Sequence, residues 1–122
     1  MRFDCNEISI SDEELGCQVT FSEIPYLGAA SENMTLKEID ESIGKYLLFQ
    51  RFFPEEDDNI DNSYFETHDE NLCGNFEDFK ITLSKRSLKL TINNETIVVS
   101  IKPTDYEYSE LKRVLPIIIN KQ

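Results

Sequence analysis

His68, Asp69, Glu70 and Cys73 bring imidazole, carboxylate and thiol groups together in one short stretch of this chain. That is a donor set transition metals favour. Their spacing argues against a metal centre, because all four fall on one polar loop and no second ligand pair stands at zinc spacing. Asp57, Asp58, Asn59 and Asp61 offer the hard oxygen donors that calcium takes, yet the central Gly and terminal Glu of an EF-hand loop are missing. The 24 Asp and Glu residues make many carboxylate pairs, but acid-base work needs one of them desolvated in a pocket, which spacing does not specify. There is no Gly-rich phosphate loop, no G-x-S-x-G elbow and only a single His. These observations predict a protein that is not an enzyme and needs no cofactor or bound metal.

Charge points to partners. Residues 1–80 hold 20 Asp and Glu against 5 Lys and Arg, a balance of −15, whereas residues 81–122 hold 4 against 7, a balance of +3. The total is −12. A field of this sign repels nucleic acid and anionic membrane and steers a basic protein toward the surface. Acidity also keeps a chain soluble, so charge alone does not select a partner.

With 122 residues, 39% of them hydrophobic and 11% aromatic, the chain is the size of one domain, 1–122, and can bury a core. Acids near the N-terminus replace the positive region of a signal peptide, and no apolar run approaches the roughly 18 residues of a membrane span, so a cytoplasmic protein is expected. Cys5, Cys17 and Cys73 are odd in number and lack C-x-x-C spacing, which predicts reduced thiols. The sequons at Asn33 and Asn94 carry no weight in such a compartment.

Hydropathy patterning gives the elements. A loosely alternating strand through Phe3, Cys5, Ile8 and Ile10 is followed by a turn at Ser11-Asp12-Glu13-Glu14 and a strand over residues 17–22. Residues 25–36 read as loop, with a short helix after the capping-box pair Thr35 and Glu38. Lys45 to Phe53 carries large apolar residues on both parities and reads as a central strand covered on both faces. The acidic run after Pro54 must be solvated. Ser63 to Thr67 reads as a strand between two acidic loops, with Gly74 as the turn residue of the second. Phe79, Ile81 and Leu83, then Leu88, Leu90 and Ile92, then residues 96–101 make a three-stranded meander with turns at residues 84–87 and Asn93-Asn94. Thr104 and Glu107 cap a C-terminal amphipathic helix carrying Tyr108, Leu111, Leu115 and Ile118, which Pro116 should end or kink near Leu115. The expected class is α+β, a mostly antiparallel sheet of about five to seven strands closed by that helix.

Several of these segments, taken in order, resemble the immunity protein ten family of bacterial polymorphic toxin systems. They are Tyr46-Leu47-Leu48-Phe49-Gln50-Arg51, the acidic loop after it, Ser63-Tyr64-Phe65-Glu66, the polar loop ending near Gly74, and the hairpin from Leu83 to Leu90. The likeness spans residues 45–118. It implies a mostly β fold with a closing helix, and a protein that neutralises the cognate toxin of the producing cell by occlusion, without catalytic residues. The toxin would be the partner, and a basic nuclease is the kind of toxin that an acidic inhibitor fits.

The residues expected to bind that partner are Glu55, Glu56, Asp57, Asp58, Asp61, Asp69, Glu70, Glu77 and Asp78, with Tyr64 as aromatic anchor. Gln50 and Arg51 can be read either as partner contacts or as a structural pair, and the cost of burying Arg unpaired favours the structural role. The rival to a toxin inhibitor is a small acidic module that binds calcium or another ligand through the 57–61 loop.

Overall fold

Phe79, Ile81 and Leu83 alternate with Lys80 and Thr82, and Leu88, Leu90 and Ile92 alternate with Lys89 and Thr91. Such segments can bury a single face only as strands. The computed structural model describes residues 1–13, 16–24, 44–52, 63–75, 79–92 and 94–119. Among these, nine strands and one helix follow in the order β1 (Arg2–Asp4), β2 (Glu7–Glu13), β3 (Gly16–Ser22), β4 (Tyr46–Phe52), β5 (Ser63–Thr67), β6 (Cys73–Asn75), β7 (Phe79–Leu83), β8 (Ser87–Ile92), β9 (Glu95–Ser100) and α1 (Asp105–Ile119). The protein is α+β. Four strands pair in the order β1-β9-β8-β7 and five in the order β2-β3-β4-β5-β6, and neither sheet closes on itself. All pairings are antiparallel except β1 with β9.

The C-terminal meander forms as its pattern requires. The Ser84 N–H donates to the Ser87 carbonyl at 2.8 Å, while the Ser84 hydroxyl accepts from the N–H groups of Arg86 and Ser87. This closes β7 onto β8 over Lys85 and Arg86. Asn94 takes a φ of 68° between β8 and β9, the left-handed conformation that Asn adopts more readily than most residues. The capping box also forms: the Thr104 hydroxyl accepts the Glu107 N–H at 3.1 Å, and the Glu107 carboxylate accepts the Thr104 N–H at 2.8 Å. Leu111, Val114, Leu115 and Ile118 bury one stripe of α1, which lies against β2, β3 and β4.

Several expectations are corrected. The opening segment is two strands in different sheets. Phe3 sits opposite Val99 in the four-stranded sheet, the chain crosses at Cys5-Asn6, and Ile8 and Ile10 face Phe21 and Val19 in the other sheet. Ser11 to Glu13 continue β2 and do not turn, because each pairs with β3. β4 is indeed the middle strand, but it is buried on one face only: Leu47 and Phe49 are inaccessible while Tyr46, Leu48 and Gln50 are half-buried. Gly74 lies within β6 at a φ of 142°, a region nearly closed to residues with a Cβ, and the turn before it is made by Asp69 to Leu72. The helix does not stop near Leu115 but runs through Pro116 to Ile119. Pro116 and Lys112 are both exposed, so water can satisfy the Lys112 carbonyl that loses its helical donor. The last turn is then held from the sheet: the Arg51 guanidinium donates to the Ile117 carbonyl at 2.6 Å and the Ser63 hydroxyl to the Ile118 carbonyl at 2.5 Å. The helix expected after Thr35 lies outside the described residues.

Both sheets and the helix share one core. Val19, Phe21, Leu47 and Phe49 meet Leu88, Leu90, Ile97 and Val99 and the buried stripe of α1 in a single cluster. Phe21 and Phe49 pack edge to face, with ring centres 6.3 Å apart. Leu90 is inaccessible within this cluster. Its truncation to Ala should therefore destabilise the fold by about 3 kcal/mol, whereas Thr104→Ala should cost about 1 kcal/mol by removing the helix cap. Urea unfolding checks both: the midpoint should fall in that ratio with an unchanged slope, and equal losses would contradict the packing described.

Candidate docking face

Strand alternation sorts the side chains of the five-stranded sheet. Ser63, Phe65 and Thr67 of β5 face the core, so Tyr64 and Glu66 point away from it. The register sets Glu66 between Leu48 of β4 and Cys73 of β6, and Tyr64 between Gln50 and Asn75. Across that face Tyr46 reaches back to the same carboxylate. Its hydroxyl donates to Glu66 Oε2 at 2.6 Å, and the Tyr64 hydroxyl donates to Glu66 Oε1 at 3.1 Å. The three side chains are half-buried. Burial first, then the hydrogen bond to Glu66 and its negative charge, push both phenols above their ordinary range.

A carboxylate held at both oxygens by two phenols is fixed in orientation and stays hydrogen-bonded while half-buried. Such a fixed carboxylate can accept a guanidinium or ammonium donor at the lone pairs that the phenols leave free. The sequence singles out Tyr64 but not Tyr46 or Glu66. The shared face of Tyr64 and Glu66 was readable from their spacing; the approach of Tyr46 needed the β4–β5 register.

The expected residues divide. Glu55, Glu56, Asp57, Asp58, Asp61, Glu77 and Asp78 lie outside the described residues, as does the calcium-type stretch as a whole. Asp69 is part of the β5–β6 turn: its carboxylate accepts the Asn71 N–H at 2.9 Å and its carbonyl accepts from the Leu72 N–H and the Thr67 hydroxyl. Glu70 is exposed on the same turn. Gln50 and Arg51 part company. Gln50 faces outward beside Tyr64, while Arg51 holds the end of α1, the structural role its burial cost favoured.

The polar stretch weighed as a metal site has other work. His68 Nδ1 accepts the Tyr46 N–H at 3.2 Å, and its ring meets Phe3 of the other sheet edge-on at 6.3 Å. The Cys73 thiol donates to the Glu70 carbonyl. Among the described residues no three His, Cys, Asp or Glu side chains are grouped to hold a metal ion. A cleft of about 350 Å³ opens nearby between this turn and the β8–β9 hairpin, its lining including Phe65, Leu72, Ile92, Asp69 and Glu95.

All three cysteines are free thiols; Cys5 and Cys17 are buried, which raises both above the usual thiol range, and Cys73 is exposed. Ellman's reagent should accordingly titrate one thiol in the folded protein and three after denaturation, and early reaction of Cys17 would contradict its placement. For Tyr46 the folded state holds the proton more tightly than the unfolded chain, so stability is complete below the ordinary phenol range and falls as pH rises above about 10. Tyr46→Phe should make that alkaline decline shallower in urea midpoints measured against pH. An identical slope in the two proteins would mean that the Tyr46–Glu66 bond does not hold in solution.

No helix among the described residues is long and apolar enough to cross a membrane. No family model, curated protein or solved structure matches this chain.

Proposed function

We propose that this chain is an immunity protein that binds a cognate bacterial toxin in the producing cell and neutralises it by stoichiometric occlusion. The observation that carries the reading is the separation of charge across the fold together with what stands at the centre of the acidic side. Among the described residues the five-stranded sheet and its turns carry Glu7, Asp12, Glu13, Glu66, Asp69 and Glu70 against Lys45 and Arg51; Arg51 is turned inward to α1, and so is Asp12, paired with Arg113 at 2.6 Å. The four-stranded sheet carries Arg2, Lys80, Lys85, Arg86 and Lys89 against Asp4 and Glu95. A basic toxin, a nuclease being the apt case, would be steered to the acidic side, where Tyr46 and Tyr64 offer desolvated contact area around Glu66. The expected acids of residues 55–61 and 77–78 would add to the same field and so to the rate of encounter. The segment order over residues 45–118 that resembles the immunity protein ten family supports the same reading from the sequence side.

The test is capture. The tagged chain, co-expressed with the product of the reading frame beside its own, should retain that product and restore growth that the product alone arrests. Tyr64→Ala should weaken the complex by about 2 kcal/mol if it is an anchor. Reversing Asp57 and Asp58 should slow association and flatten its dependence on salt. Absence of both capture and rescue would reject the proposal.

A further inference from the structure

The outer edge of the four-stranded sheet is built to accept another strand. Its hydrogen-bond phase follows from the hairpin, where Ser84 pairs with Ser87 through the Ser84 N–H. Hydrogen-bonded pairs alternate along an antiparallel ladder, so Thr82 with Lys89 and Lys80 with Thr91 exchange the next bonds. The N–H and C=O groups of Ile81 and Leu83 therefore point away from β8, and no described residue pairs with them. Such unpaired groups are a template on which another strand can pair.

The side chains define what could be added. On the inner face Ile81 and Leu83 are half-buried at the rim of the core, so an incoming strand would extend that core with apolar residues. On the outer face Lys80 is exposed at the edge and Lys89 stands one strand further in beyond the short Thr82; at the hairpin Arg86 is exposed, while the Lys85 ammonium turns to α1, 4.0 Å from Asp105 and over the Tyr108 ring. Residues of the added strand that face outward next to Lys80 and Thr82 would meet this row at the close spacing of non-hydrogen-bonded pairs. We propose that the β7 edge is a strand-addition site for an extended protein segment whose residues alternate apolar and acidic. The site lies on the opposite sheet from the tyrosine-flanked carboxylate and does not depend on the toxin reading.

A second copy of the chain is a poorer occupant. Antiparallel pairing of two β7 edges about Ile81 would set each Lys80 diagonal to the other on one face, and like charges at that range repel. The net charge of −12 is not an obstacle to an acidic segment, because at physiological salt it is screened beyond about 8 Å and the local cations act within that distance.

Amide hydrogen exchange tests the site directly. In the free protein Lys80 and Thr82 should be protected and Ile81 and Leu83 should exchange freely, an alternation that the register demands. A short blocked peptide of alternating valine and glutamate should protect Ile81 and Leu83 about tenfold at saturation, and its valine–lysine counterpart should not. Ile81→Pro should abolish that binding and leave the sheet intact, because the N–H it removes faces outward. Should that variant fail to fold, Lys80→Glu with Lys89→Glu leaves the backbone untouched and should weaken the peptide roughly tenfold. The proposal is overturned if the valine–glutamate peptide leaves both amides unprotected, if the lysine peptide protects them equally, or if protection appears with protein concentration alone.

Discussion

The end of α1 is the joint on which the architecture turns. Pro116 deprives the helix of a donor, and its last turn carries no basic residue to meet the negative end of the dipole. Two side chains from distant parts of the chain cap carbonyls that the helix end leaves without a helical donor, Arg51 from β4 at Ile117 and Ser63 from β5 at Ile118. A bond from a charged donor to a partly buried carbonyl contributes about 1.5–3 kcal/mol, more than the helix could gain by its own propensity at this point. The consequence is geometric. With Arg51 committed inward, the parity of β4 is fixed, and Leu47 and Phe49 must join it on the core side while Tyr46, Leu48 and Gln50 face out.

That parity is what creates the tyrosine-flanked carboxylate. β5 must present Phe65 to the core opposite Phe49, so Tyr64 and Glu66 are carried to the same outer face as Tyr46. A slip of one residue would bury the carboxylate and expose Phe65, a double penalty that makes the alternative register inaccessible. The candidate docking face is thus a by-product of the same constraint that seats the helix. The tyrosine-flanked carboxylate and the groups that hold the helix stand on neighbouring residues of the same two strands.

Polar residues that looked chemically capable are spent on turns. Thr67, Asp69 and Leu72 close the β5–β6 connection through the Thr67 hydroxyl and their backbone groups, the Asp69 carboxylate accepts the Asn71 N–H, and His68 bridges β4 to Phe3 of the other sheet. Among the described residues, acids outnumber cations on the five-stranded sheet and cations outnumber acids on the four-stranded one.

Much of the fold was legible from local physics. The meander, its two turns and the Thr104 cap follow from period-two hydropathy, turn residues and capping chemistry, which act over a few residues; the middle position of β4 follows from its run of large apolar residues, although only one of its faces is buried. What the sequence could not specify was pairing between distant segments. The parallel contact of β1 with β9 divides the opening segment between two sheets, and the helix that continues past Pro116 is met at its end by Arg51 and Ser63. The same limit applied to the site: Tyr64 and Glu66 share a face by spacing alone, but Tyr46 joins them through a register 20 residues away. Composition determined that this chain is acidic and asymmetrically charged. Only tertiary pairing decided which carboxylate stands between two tyrosines, because alternation fixes the face of a side chain and not its neighbours across the sheet.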